Sequence, residues 1–171
     1  KRTPATAVTH RPLLKQIIGL AGWFVFSFSA AAVGGIASAD AGAFYAELAR
    51  PRWAPPAWLF APVWSVLYAT IGISGWLVWS KRSFREAPAA YVLFTAQLGA
   101  NAFWTWLFFA WRQGGSALAD ILILWLLILG TIFTFRRIRP AAALILVPYL
   151  AWVSYAVLLN LALWKLNPSV L

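Results

Sequence analysis

Residues 140–164 read PAAALILVPYLAWVSYAVLLNLALW, a run of 25 with no Asp, Glu, Lys or Arg. About 20 apolar residues in a helix cross the ~30 Å of hydrocarbon in a bilayer, so this run is long enough to span one. Three more uncharged stretches, 17–39, 53–80 and 87–111, meet the same test, and 116–135 joins them with a single acid, Asp120, near its start. The spacing therefore predicts five spans, at about 14–39, 57–80, 88–111, 116–135 and 140–164. None of these runs alternates apolar and polar residues with a period of two, which excludes a strand barrel. The expected fold class is all-α, an integral membrane bundle of five transmembrane helices in one domain, 1–171. The first run is too long, and its flanks too polar, to be only a cleaved signal peptide.

Composition agrees. The chain is 63% hydrophobic and 11% charged, with a mean hydropathy of +0.76. Soluble domains carry about 25% charged residues, so this chain lacks the polar surface to keep its apolar mass in water. It has no Cys, which removes disulfides, thiolate nucleophiles and iron–sulfur clusters; its one His, His10, sits beside Arg11 in a basic tail, so no metal site is expected. The net charge of +10 does not read as a nucleic-acid footprint, because the cations lie between apolar runs. With no Met at its start, the sequence is expected to be less than the full translated product.

The cations also orient the bundle. Lys1, Arg2, Arg11, Lys15, Lys81, Arg82, Arg85, Arg136, Arg137 and Arg139 fall on one side, against Arg50, Arg52, Arg112 and Lys165 on the other. The positive-inside rule then predicts a multi-pass protein of an inner or plasma membrane with a cytoplasmic N-terminus, and an odd number of spans puts the C-terminus outside. Short connections at 81–86, 112–115 and 136–139 predict that successive helices pack as antiparallel neighbours. The first connection, 40–56, is longer. Asp40 reads as a helix N-cap there, and Arg50-Pro51-Arg52-Trp53-Ala54-Pro55-Pro56 reads as a stiff, basic, aromatic strip able to cover the outer end of the bundle as a lid.

Trp58, Trp76, Trp79, Trp111 and Trp164 lie near span ends and fit an interfacial belt. The deeper residues form stripes. Trp64 and Tyr68 share a helix face with Gly72 and Gly75; Gln97, Asn101, Trp104 and Phe108 fall at helical spacing; Tyr149, Trp152, Ala156 and Asn160 repeat the pattern just after Pro148, where a kink is expected. Unpaired amides in hydrocarbon are costly, so Gln97 and Asn101 must face the interior. Aromatic, polar and small residues on three facing stripes compose either an apolar pocket with a few orienting groups or interhelical packing, and spacing leaves both open. Asp120, an acid one turn into a span, suggests a functional role, but its place near the span end favours a hydrated structural one. Small residues at Ala30, Ala31, Gly34 and Gly35, and at Ala96, Gly99 and Ala100, suit close packing of helices within the bundle or across a homodimer, the second set being the better dimer candidate.

Four motifs carry a resemblance: Phe44-Tyr45-x-x-Leu48-x-Arg50-Pro51-x-Trp53-x-Pro55-Pro56, Trp64-x-x-Leu67-Tyr68-x-x-x-Gly72, Gln97-Leu98-x-x-Asn101-x-x-Trp104, and Pro148-Tyr149-x-x-Trp152-x-x-x-Ala156-x-x-Leu159-Asn160. In this order the chain resembles the tryptophan-rich sensory protein (TspO) family, also called the translocator protein or peripheral-type benzodiazepine receptor family, from about Ile17 to Asn160. The resemblance implies a five-helix bundle, commonly a homodimer, with a pocket beneath the first loop for tetrapyrroles such as protoporphyrin IX and haem, sterols, or synthetic isoquinoline carboxamides and benzodiazepines. No cofactor is required. Trp64 and Trp152 would be the pocket tryptophans, with Tyr45 reaching down from the lid, Tyr68 and Asn101 along the wall, and Ala156 limiting ligand volume. Trp104 and Tyr149 join them from the stripes, which coincide with the implied site and favour a pocket over packing alone.

The proposed cholesterol motif of the animal members is broken here, because Tyr155 has no basic residue within five positions and Lys165 lies ten on. A tetrapyrrole suits the residues better: flat macrocycles stack on indoles, and propionates would pair with Arg50 or Arg52. The leading expectation is thus a membrane receptor or binding protein for porphyrin-type ligands that senses or transports them. Light-dependent porphyrin degradation by way of Trp64 and Trp152 is the enzymatic alternative, although no acid–base pair accompanies them. A structural membrane partner is the third. No ion-coupled pump is expected, since paired charges and repeated broken helices are missing.

Overall fold

The computed structural model describes residues 12–171, so His10 and the cations at 1, 2 and 11 lie outside the described residues. Every regular element is a helix among the described residues. They are α1 Leu13–Ala37, α2 Ala41–Glu47, a single 3₁₀ turn at Ala57–Leu59, α3 Phe60–Trp79, α4 Pro88–Thr105, α5 Gly114–Ile138, α6 Pro140–Ile145 and α7 Val147–Leu166. Five stretches are long and apolar enough to cross a membrane: Leu13–Ala37, Ala57–Trp79, Pro88–Ala110, Gly114–Ile138 and Pro140–Leu166. Pro88 and Pro140 stand in the first turns of their helices, where a missing N–H costs nothing. Asp40 precedes α2 without making a capping bond through its side chain; the Phe44 N–H finds the Asp40 backbone carbonyl instead, at 3.0 Å.

The spans close into a ring. α1 packs on α3 and α4, α4 on α5, α5 on α6 and α7, and α6 on α3. This corrects the reading of loop lengths at one point. The connection 81–86 is short, yet α1 lies against both α3 and α4, and those two do not pack closely on one another. Six residues reach up to about 20 Å, enough to step past one ~10 Å helix. Close approach of α1 to α3 depends on Gly75: a Cβ there would lie 2.6 Å from Trp23 Cε3 and 3.0 Å from Phe94 Cζ. The Trp23 ring fills that notch edge-on to Phe94, and Ser27 Oγ donates to the Tyr68 carbonyl at 2.7 Å. At the other end of the bundle Gly114 does the same for Trp164, whose Cδ1 would sit 2.8 Å from an added Cβ.

Two irregularities shape the interior. The fifth span breaks at Leu146, between α6 and α7, with Pro148 in the first turn of α7. The Leu146 N–H tightens back to the Ala143 carbonyl at 3.1 Å, as expected where a proline cannot extend the preceding helix. The third span ends in a wide π turn, Trp106–Ala110, in which the Trp111 N–H bonds the Trp106 carbonyl at 2.9 Å. The extra residue per turn brings Phe108 and Phe109 to one side, their centroids 5.1 Å apart. Arg112, at φ 55°, then reverses the chain into α5.

Candidate functional site

A cavity of about 630 Å³ lies between the lid and the middle of the bundle. It falls within the 300–1,000 Å³ range of sites for small organic ligands. α3 contributes Trp64 and Tyr68, α4 contributes Asn101, Trp104, Phe108 and Phe109, and α7 contributes Trp152, Ala156 and Asn160. Tyr45 closes it from α2. Among the described residues no charged side chain lines it.

Each polar group in the wall has a reason for its place. The Tyr68 hydroxyl donates to Asn101 Oδ1, and Asn101 Nδ2 donates to the Tyr149 hydroxyl at 3.1 Å, so three helices meet at one amide. Trp104 Nε1 donates to Asn160 Oδ1 at 3.0 Å, and Asn160 Nδ2 donates to the Gly114 carbonyl at 3.0 Å. These bonds satisfy groups that hydrocarbon would otherwise leave unpaired. The indole N–H groups of Trp64 and Trp152, both in the cavity wall, find no acceptor among the described residues. The Trp64 ring leans on Tyr68 at 5.6 Å, and that of Trp152 is edge-on to Phe60 at 6.1 Å.

Seven of the residues expected from the sequence line the cavity: Tyr45, Trp64, Tyr68, Asn101, Trp104, Trp152 and Ala156. Tyr149 does not. It is fully buried behind the wall, where it supports Asn101 and packs edge-on against Trp64 at 6.2 Å. Arg50 and Arg52 are exposed and do not line the cavity; the Arg50 guanidinium lies 5.0 Å from the centre of the Tyr45 ring and lines a second hollow with Leu48, Pro51 and Pro55. Gln97 faces the interior as expected, buried with both its amide atoms unpartnered among the described residues. Asp120 lies away from the cavity with Oδ2 likewise unpartnered.

One wall was not anticipated. Phe28, Ala31, Gly34, Gly35 and Ser38 of α1 line the cavity, whereas the small residues among them read from the sequence as a packing or dimer face. A small-residue stripe signals a close neighbour or an empty space equally, and the sequence offers nothing to choose between them. Phe109 was missed because spacing alone gives no sign of a π turn. Most of the exposed lining residues, among them Phe28, Ala32, Gly35, Ala61 and Ser65, belong to α1 and the start of α3, with Gly42 of α2 and Ala57 of the 3₁₀ turn beside them, so the cavity opens sideways between α1 and α3 as well as lying under the lid.

The lid itself is fastened through its backbone. Tyr45 donates to the Pro55 carbonyl at 2.9 Å, and Tyr155 donates to the Trp53 carbonyl at 3.0 Å. Burial pushes the Tyr45 hydroxyl above its ordinary pKa, with the neighbouring Arg50 guanidinium pulling it back down.

The sequence profile of the TspO/MBR family matches residues 17–165. The chain is 38% identical over 126 residues to the translocator protein of Ovis aries, covering 72% of this chain and 75% of that one. It is 40% identical over 129 residues to the tryptophan-rich protein TspO of Chlorobaculum tepidum, covering 73% and 80%. It is 36% identical over 148 residues to protein CrtK of Rhodobacter capsulatus, covering 86% and 91%.

Proposed function

The chain belongs to the TspO/MBR family, and from that premise we propose that it is a multi-pass membrane receptor for porphyrin-type tetrapyrroles, such as protoporphyrin IX or haem, which it senses or transports. The observation that carries this is the cavity: about 630 Å³, walled by Trp64, Tyr68, Trp104 and Trp152, and uncharged. Flat aromatic macrocycles gain most from such walls, by stacking and by leaving water. An uncharged interior also dictates orientation. The two carboxylates of protoporphyrin IX cannot be desolvated there without partners, so they remain at the mouth, where Arg50 on the lid is the cation beside the lining residue Tyr45. Arg52, exposed two residues on, is the second candidate partner.

The cation asymmetry supports an inner or plasma membrane setting with the N-terminus in the cytoplasm, which places the lid on the outer side. Assembly as a homodimer belongs to the same proposal: Gly99 on α4 is exposed, with open space where a Cβ would lie.

Titration of the purified chain with protoporphyrin IX, followed by quenching of tryptophan fluorescence, tests the reading. Saturable quenching that weakens about tenfold or more in Trp64→Phe or Trp152→Phe is expected, the loss of a stacked indole and its donor being worth ~1.5 kcal/mol or more. Unsaturable quenching, equal in all three proteins, overturns it. A second reading, light-dependent degradation of the porphyrin, has one observation in its favour: the Trp152, Tyr155 and Trp53 rings follow one another at 5.7 and 5.6 Å from cavity to surface. Repeating the titration under illumination separates the two, since only degradation bleaches the porphyrin band faster than in free solution.

A further inference from the structure

Asn167, just past the last turn of α7, grips the lid by both backbone groups of one residue. The Ala49 N–H donates to Asn167 Oδ1 at 2.9 Å, and Asn167 Nδ2 donates back to the Ala49 carbonyl at 2.9 Å. The remaining Nδ2 hydrogen goes to the Leu163 carbonyl of its own helix, at 2.8 Å. One acceptor and two donors are thus spent on three backbone groups, two of them 118 positions away in sequence. The pattern is that of one strand's peptide group pairing with another's, built from a side chain. Ala49 stands at the exit from α2, between the buried Leu48 and the Arg50-Pro51 pair, where the lid leaves the helix that carries Tyr45. The other two lid fastenings, from Tyr45 and Tyr155, each hold a carbonyl alone.

The asparagine is itself firmly placed. Its backbone N–H bonds the Leu163 carbonyl at 3.0 Å, the Leu171 N–H returns to its carbonyl at 3.0 Å, and its side chain is 8% exposed. Leu163, one turn back, lines the cavity, and so do Trp152 and Ala156 further along the same helix. Wall and fastening therefore share one helix and its end.

We propose that Asn167 is a positioning residue: the latch that holds the lid shut over the cavity, and so sets how fast a ligand enters and leaves. The inference rests on the reading of the cavity as a ligand site, but the latch has a readout that needs no ligand. Trypsin can nick the lid after Arg52, whereas Arg50 is followed by Pro51 and resists. In Asn167→Ala, removal of two lid hydrogen bonds is expected to speed nicking at Arg52–Trp53 about five- to tenfold. Association and release of protoporphyrin IX, followed by stopped-flow quenching, should accelerate by a similar factor while the equilibrium affinity changes much less. Asn167→Asp keeps an acceptor for the Ala49 N–H but sets a carboxylate oxygen against the Ala49 and Leu163 carbonyls, and should be nicked at least as fast as Asn167→Ala. Because the chain has no Cys, Ala49→Cys with Asn167→Cys gives a unique pair; bridging it with a short thiol-specific crosslinker should return both rates to the unsubstituted values or below.

Unchanged nicking in Asn167→Ala overturns the latch. Faster nicking with unchanged porphyrin exchange also overturns it as a control on ligand passage, and points to the opening between α1 and α3 as the route. If the unsubstituted chain shows no saturable quenching while nicking still accelerates, the ligand reading fails and the hold on the lid stands.

Discussion

The Trp104 indole N–H donates to Asn160 Oδ1 at 3.0 Å, joining α4 to α7 through two residues that both line the cavity. Asn160 passes the connection to α5 through the Gly114 carbonyl. Pocket and interhelical packing are therefore not alternatives here. The same polar stripes that wall the cavity fix the spacing of the helices around it.

Breaking that pair should destabilise the bundle measurably. Asn160→Ala leaves the Trp104 N–H without its acceptor and removes the extra bond to the Gly114 carbonyl, and should cost about 1–3 kcal/mol, lowering the thermal midpoint in a fixed detergent. Trp104→Phe removes only one side. The double variant should lose less than the sum of the two singles, and strict additivity would show that the bond contributes nothing.

Two glycines on neighbouring stretches of the bundle should respond differently. Gly75→Ala drives a Cβ to 2.6 Å from Trp23 Cε3, and the overpacking should cost about 1–3 kcal/mol. Gly35→Ala meets nothing within 4 Å, and in the last turn of α1 should be neutral or gain a few tenths of a kcal/mol, roughly, while slightly narrowing the cavity mouth. Thermal unfolding of both proteins beside the parent checks the contrast.

Ala156 faces the cavity, so enlarging it should act on binding before stability. Ala156→Leu projects into the cavity rather than into packed side chains, and is expected to weaken protoporphyrin IX about tenfold or more with a stability change under about 1 kcal/mol. Circular dichroism on heating, together with the quenching titration, separates the two effects.

The Tyr45 fastening should be sensitive only to high pH. The folded protein raises this hydroxyl above its ordinary value near 10, so it binds its proton more tightly than the unfolded chain does. The stability it contributes is complete below the ordinary tyrosine value and is lost as pH rises through that value toward the folded one. Only the protonated phenol can donate to the Pro55 carbonyl. Porphyrin release should thus be constant from about pH 6 to 9 and accelerate above ~10, and Tyr45→Phe should flatten the rise.

The inward direction of Trp64, Tyr68, Asn101 and Trp152 was legible because helical spacing fixes which residues share a face, and a polar atom on that face cannot look at lipid. The same reasoning could not separate Tyr149, behind the wall, from Trp152, in it. Both lie on the predicted stripe, and depth behind a surface is not a property of spacing. Arg50 and Arg52 were read with the site because they sit in the lid motif; both are exposed and outside the cavity wall, Arg50 against the lining residue Tyr45, and spacing could not tell wall from rim.

The sequence by itself determined the five spans, since a helix in hydrocarbon satisfies its own backbone and needs no neighbour to form. It also determined the stripes, which follow from the helical period. Tertiary structure alone decided that α1 supplies a cavity wall, that a π turn adds Phe109, and that Asn167 reaches Ala49. Each of those depends on how far one helix slides and turns against another, and that is settled by side chains meeting across the bundle rather than by any repeat along the chain.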